Sequence, residues 1–560
     1  MSYLYESDIL TPEIQKIIET KVSTNLADVQ QEKVFVALKL LLNGDYEKYT
    51  FNTNLLKSTL FSDFSNNEEF HSLLSKINEK QNGRQETGRF YTPKDVTEYV
   101  VANSFLNILK STQSTIFSTS NCIEEIKKCH SINDLIFSYS VFDPTCGAGE
   151  FLVTALDIKL SLLENPTDRD YLEVIKTIHG NDLNMTSVEI TKIRLFFTIL
   201  SRISDYEYLN ELSTILNNNF HNKDFIDNGL FSQSSFVKYN IIVGNPPYVE
   251  DGKTTTKPLV SYGNIYANVL ENSSNLLSKK GVMGFVLPLS YVSTLRMRKI
   301  REVVSKKTPK QILLNYADRP DCLFTGVHQK LTILICSNLT ENPITYTSGY
   351  NYWYKNERKE LLSDKKLVLN KHQNLTYIPK LENEIEESIF SKILATKNDN
   401  TFSSLDNEQL SENIYLNMRA TFWIKAFSFN PGSKEYKAFH FDKEIQPYIL
   451  SLLNSNLFFF FWVAVSDCWH ITNKELSSFK VILDNVDFEK FQILMNQLEK
   501  KLGKTKLFIG TKQTEYAYKH KFCKAEIDLI DTELSKIYSF TKEETDYLKN
   551  YKLKYRMGDK

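Results

Sequence analysis

The chain has 560 residues, 42% of them hydrophobic and 24% charged, and a formal net charge of −1. That length exceeds a single hydrophobic core, and the composition is that of a globular protein rather than a disordered one. Near-neutral charge excludes a uniformly basic nucleic-acid binder, and no apolar run reaches the ~18–20 residues of a membrane span.

Residues 1–85 read as a helical N-terminal segment, with helix-spaced apolar positions in Ile14–Ile18 and Val34–Leu42. Met1–Asp8 does not read as a signal peptide. The polar stretch Glu79–Gln85 reads as a linker. From 86 to 345 short strands alternate with helical patterns, the signature of βαβ units and a mostly parallel sheet. Strand signals there include Leu135–Asp143, Tyr239–Gly244, Gly281–Pro288 and Leu331–Cys336. Residues 346–500 mix aromatics, turns and short patterns, as a separate α+β domain would. Residues 501–560 read as helices, with 14 Lys/Arg against 9 Asp/Glu, so they are modestly basic. The seven cysteines are scattered and, with nine histidines, form no zinc spacing; reduced cytoplasmic thiols and no metal are the expectation.

The chemistry concentrates in the α/β region. Asn245-Pro246-Pro247-Tyr248 follows a buried-strand pattern. Two prolines stiffen the backbone there. The Asn245 side chain and the Pro246 carbonyl become fixed acceptors beside an aromatic ring, which suits an exocyclic amine on a flat heterocycle. Upstream, Asp143-Pro144-Thr145-Cys146-Gly147-Ala148-Gly149-Glu150-Phe151 places glycines at the carboxyl end of a first strand, the usual crevice of an open α/β sheet. Residue 152 is Leu, so the full dinucleotide pattern is missing and a smaller nucleoside cofactor fits better. Asp182, before Leu183, ends the next strand pattern, where it either takes ribose hydroxyls or caps the following helix. Asp224-Phe225 offers an acceptor and a ring for an adenine, or is a plain polar loop.

Together these residues resemble the N6-adenine DNA methyltransferases of gamma arrangement. The likeness is to the modification and recognition halves of single-chain restriction–modification enzymes. The resemblance implies a Rossmann-like methyltransferase domain over 86–345 with a mixed, mostly parallel sheet, followed by a C-terminal α+β target-recognition domain. It implies S-adenosylmethionine as cofactor, held by Thr92 and Pro93 of the upstream Gly88–Lys94 element, by Asp143, Thr145, Cys146, Gly147, Gly149 and Phe151 of the loop, by Asp182 and Leu183, and by Asp224 and Phe225. Asn245 to Tyr248 would be catalytic, with Tyr248 and Phe324 on either side of a flipped adenine. Such a site works by positioning and electrostatics: two acceptors hold the amine hydrogens and turn the nitrogen lone pair outward. The base has to leave the duplex first.

Double-stranded DNA is then the expected partner. Arg419, Lys425 and Arg556 are candidates for phosphate contacts or, equally, packing charges, and Phe458–Trp462 reads as core. Residues 1–85 read as too few and too helical for the small nuclease fold of such enzymes, so a separate restriction endonuclease is the expected partner for cleavage. The rivals are an N5-glutamine protein methyltransferase, which the extra C-terminal residues disfavour, and a catalytically idle DNA specificity subunit, which the intact tetrapeptide disfavours. N4-cytosine transfer usually carries Ser in place of Asn245.

Overall fold

The computed structural model describes residues 92–558, apart from 111–113, 201, 206–207, 228–236, 255–257, 325, 397–398 and 511–514. The predicted helices of 1–85 and most of the Gly88–Lys94 element lie outside the described residues. A nine-stranded sheet organises the first half: β1 Val141–Asp143, β2 Ile178–Asp182, β3 Phe220–Asn222, β4 Tyr239–Gly244, β5 Leu277–Pro288, β6 Lys310–Tyr316, β7 Leu331–Ser337, β8 Ile344–Asn351 and β9 Val368–Leu369. Their order is β3-β2-β1-β4-β5-β7-β6-β8-β9. β3 through β5 run parallel, and β7 is inserted antiparallel between β5 and β6. The chain leaves β1 toward β2 on one side and returns to β4 on the other, so the sheet reverses direction between β1 and β4. Ligands of open α/β sheets sit outside the strand ends at such a point.

The helices follow from the βαβ connections: α1 Lys94–Leu109, α2 Glu150–Ser161, α3 Asp168–Ile175, α4 Met185–Leu200, α5 Leu209–Asn219, α6 Ile265–Leu276 and α7 Arg298–Lys307. Successive strand residues point to opposite faces. Val141, Ile241, Val243, Val282 and Val286 join a core with α1–α5; Phe142, Ile242, Met283 and Phe285 join another with α6 and α7. α1 lies so close on β5 that a Cβ at Gly284 would run into the Ser104 hydroxyl. The long spacing from Gly149 to Asp182 is explained by α3, started by a Thr167–Asp170 capping box. The strand expected over Leu135–Asp143 is shorter. Ile132–Phe137 is helical, burying Leu135 and Ile136, and only Val141–Asp143 is strand. A short apolar run does not distinguish the two by itself.

β8 straddles position 346, the expected start of the recognition domain. Beyond it lie α8 Glu384–Leu394, α9 Gln446–Asn454, α10 Asn456–Val465, α11 Phe488–Thr505, α12 Lys524–Ile537 and α13 Lys542–Asn550, with a small antiparallel sheet, β10 Ile414–Asn417, β11 Ala426–Phe427 and β12 Tyr436–Phe439. The core on the α6/α7 face continues into this part through Phe390, Phe427 and the wholly buried Phe458–Trp462. α9 and α10 are both apolar but bent by 60°, and among the described residues no single helix is long and apolar enough to cross a membrane.

Candidate active site at the β1–β4 crevice

The loop after β1 turns tightly because Gly147 (φ +54°) and Gly149 (φ +83°) adopt left-handed backbone. A Cβ at Gly149 would also stand 2.7 Å from Thr191 Cγ2. The loop is tied to β2 at three points. Cys146 N donates to the Asn181 carbonyl (2.8 Å), Gly147 N to Asp182 Oδ2 (2.9 Å), and Asn181 Nδ2 to the Pro144 carbonyl (3.0 Å). Asn181 also bonds the Lys223 backbone in both directions, at 3.0 and 3.1 Å, which fixes the start of the Asp224-Phe225 turn. Thr191 of α4 donates to the Gly147 carbonyl at 2.9 Å, and Arg194 pairs with Glu150 at 2.7 Å from the same helix.

Asp143 is fully buried, and its Oδ1 accepts from Thr145 N at 3.0 Å. Burial, then the neighbouring Asp182, pushes its carboxyl well above the ordinary range. Asp182 accepts one backbone N–H on each oxygen, from Gly147 and from Asn184 (2.8 Å). Leu183 beside it is 60% exposed. Phe225 is buried, its ring centroid 5.9 Å from that of Phe142, while Asp224 is half-buried with Oδ1 on Ile226 N. Cys146 and Phe151 are buried; Phe151 faces the core under α2.

β4 ends at Gly244, where a Cβ would come within 2.7 Å of Asp143 Oδ1. That close approach sets Asn245 next to the loop. Asn245 Nδ2 donates to Thr92 Oγ1 at 3.0 Å; Thr92 is buried just ahead of Pro93, the residue that caps α1. The Tyr248 hydroxyl lies 2.5 Å from Asn245 Oδ1 and 3.0 Å from the Val286 carbonyl on β5. Its ring sits edge-on to Tyr266, centroids 6.3 Å apart, and burial raises its phenol well above the usual value. Pro246 is buried and Pro247 half-buried.

The structure thus brings together Thr92, Asp143, Gly147, Asp182, Asn245 and Tyr248. It does not bring Phe324, Arg419 or Lys425 to them. Phe324 is buried in the core shared with Tyr316 and Leu323, and its backbone forms a small bridge with Val327. Arg419 is exposed and lies 3.6 Å from Glu435; Lys425 is half-buried in the β10–β11 turn, its ammonium lowered by burial and then by Lys519. For Arg556 the structure supports the packing alternative. The side chain is buried, 3.9 Å above the Trp423 ring and 4.1 Å from that of Phe459, with its guanidinium on the Phe422 carbonyl and Asn456, so it is no phosphate contact. Asn181, Thr191, Arg194 and Gly244 were not singled out by sequence. Asn181 and Gly244 adjoin motif residues, whereas Thr191 and Arg194 lie in helix α4 with no local signal.

Strand order, glycine loop and strand-end tetrapeptide define an α/β methyltransferase domain of the kind found in restriction–modification enzymes. Residues 176–320 match the Eco57I restriction-modification methylase family. It is similar to the type II restriction enzyme and methyltransferase RM.Eco57I of Escherichia coli, 22% identical over 318 residues, covering 48% of this chain and 32% of the relative. It is also similar to the tRNA1(Val) (adenine(37)-N6)-methyltransferase of Haemophilus influenzae, 34% identical over 105 residues, covering 17% of this chain and 45% of the relative. The fold resembles that of the type IIL restriction–modification enzyme MmeI in complex with DNA, with a TM-score of 0.52 at 11% identity over 86% of this chain and 81% of that one. The chain spans less than half the length of the curated relatives it matches.

Proposed function

We propose that the chain is a site-specific DNA adenine methyltransferase acting on N6, the modification part of a restriction–modification system. The observation that carries this reading is the Asn245 carboxamide, held by Thr92 at the end of β4 beside the β1–β4 crevice. The crevice fits S-adenosylmethionine: the Thr145 hydroxyl is buried without a hydrogen-bond partner, and the Asp182 carboxylate lies beside the glycine loop. Thr145, the Gly147 backbone, Asp182, Leu183, Asp224 and Phe225 would hold it. When bound it supplies a methyl group on a sulfonium. Asn245 Oδ1 and the Pro246 carbonyl accept the two amine hydrogens and favour a pyramidal nitrogen whose lone pair is no longer spread into the ring. Tyr248 supplies a stacking face for the flipped base, worth roughly 1–3 kcal/mol. The amine proton departs after transfer, from a nitrogen that is already cationic, so no strong base is required.

The tRNA methyltransferase similarity supports adenine N6 as the acceptor and favours a second reading, RNA as the polymer. DNA is preferred because the likeness to the restriction–modification relative extends over three times as many residues. The discriminating experiment supplies labelled S-adenosylmethionine with unmethylated bacterial DNA and, in parallel, unmodified tRNA, followed by nucleoside analysis. N6-methyladenine in DNA, lost in Asn245→Ala while cofactor binding persists, is the expected result. Label in tRNA alone moves the reading to RNA, and full activity of Asn245→Ala overturns the catalytic assignment.

A further inference from the structure

Between positions 499 and 524 the sequence carries eight lysines against two glutamates, in a chain whose overall charge is −1. The stretch covers the end of α11, a short hairpin pairing Leu507–Phe508 with Tyr516–Ala517, and the turn into α12. Three consecutive apolar side chains on the hairpin face solvent: Leu507 at 53%, Phe508 at 70% and Ile509 at 50%. Lys500, Lys504 and Lys506 are exposed around them, and Lys500, Lys501 and Lys504 share a shallow depression with Leu529 in which Glu526 is the carboxylate. Of the other acids nearby, Glu515 is exposed on the hairpin and two are engaged elsewhere. Glu499 accepts from the Ser428 amide and hydroxyl at 2.8 Å, and Asp528 pairs with Lys524.

This patch is continuous with the β10–β12 sheet. The Tyr518 ring lies 4.7 Å from Phe427 and 5.9 Å from Phe429, and Lys519 stands near Lys425. Exposed apolar side chains ringed by like charges leave a surface that water and self-repulsion both penalise, and such patches mark contact sites. A second copy of the chain would set lysines against lysines. A polyanion with stackable apolar faces suits both features, since its phosphates release counterions to lysines and its bases or sugars accept an aromatic ring.

We propose that the hairpin and the last turn of α11 form a sequence-independent contact to duplex DNA flanking the modified site, with Lys500, Lys504 and Lys506 on phosphates and Phe508 against sugar or an opened base step. This inference rests on the DNA reading above. Its test is binding of the full chain to a duplex that it methylates and to an unrelated duplex, across a salt series, for wild type, the triple variant Lys500→Gln/Lys504→Gln/Lys506→Gln, and Phe508→Ser. At about 0.9 per phosphate contact, the triple variant should lower the slope of log K against log salt by about 2 to 3 on both duplexes. Its turnover at saturating DNA should match wild type. Phe508→Ser should weaken binding about fivefold or more with the slope intact. Wild-type binding with both variants unchanged overturns the contact and leaves the DNA reading standing. Wild type that binds no duplex sinks both. A change in oligomeric state by light scattering, without a change in slope, assigns the patch to a second copy and overturns the proposal.

Discussion

Thr92 and Asn245, far apart in sequence, meet at 3.0 Å, the carboxamide nitrogen donating to the threonine hydroxyl. The contact pins the amide on its nitrogen side, while its oxygen lies against the Tyr248 hydroxyl. Thr92→Val removes the pin, and a loosely held catalytic group costs on the order of 10²-fold in rate. Single-turnover methylation should fall by that order while the affinity for S-adenosylmethionine stays within about twofold, and Thr92→Ser should restore most of it. A loss of cofactor affinity with an unchanged rate would return Thr92 to the cofactor-contact role expected from its sequence context.

Asp182→Asn tests the cofactor side alone. The variant keeps one acceptor oxygen, but it exchanges a charged acceptor for a neutral one and turns an N–H₂ toward Gly147 N or Asn184 N. Hydrogen bonds to a charged group contribute about 1.5–3 kcal/mol, so the dissociation constant for S-adenosylmethionine should rise about 10- to 100-fold. Titration calorimetry reads this directly. DNA affinity measured without cofactor should not move.

Lys159 supplies a pH test. Its ammonium is buried in α2, with Nζ donating to the Tyr139 carbonyl (2.6 Å) and Thr177 Oγ1 (2.7 Å), and burial pulls its pKa down to about 7. The unfolded chain holds that proton up to the ordinary lysine value, the folded chain only up to about 7. Between the two the unfolded state binds more protons, so stability climbs as pH rises through this window. Thermal midpoints from pH 7 to 9 should therefore increase in wild type. Lys159→Met should flatten the climb, even though it leaves the Tyr139 carbonyl without its donor. Parallel curves would mean that Lys159 stays charged in the fold.

Arg556 should behave as a structural residue. Arg556→Met strips the Phe422 carbonyl and the Asn456 amide oxygen of their donor and removes a cation from between two aromatic rings, at a cost of about 2–5 kcal/mol. The expected outcome is a lowered thermal midpoint with an unaltered salt slope of DNA binding. A stable variant with a shallower slope would restore the phosphate role read from sequence.

The α/β half was legible because its information is local. An apolar run ending in Asn-Pro-Pro-Tyr, and a glycine loop after a strand, announce themselves within a dozen residues. β7, inserted antiparallel, carries the same apolar signal as its parallel neighbours, so sequence gives its existence and not its direction. For the charged groups beyond residue 400 the sequence left phosphate contact and packing charge open, because tertiary contacts decide between them. Arg556 looks like any basic residue near a basic terminus, and only packing against Trp423 and Phe459 makes it core. Whether Phe324 packs in the core is likewise decided by tertiary contacts, and the Leu507–Ala517 hairpin is too short to stand out from its helical surroundings.

The Asn181 side chain joins the loop after β1 to the turn after β3, and it does so as a neutral amide. A carboxylate or lysine in its place would change charge with acidity and answer to ionic strength; an amide does neither. The spacing between these two walls of the crevice is therefore insulated from the medium. On the proposed function, cofactor occupancy and grip on DNA would answer to separate conditions.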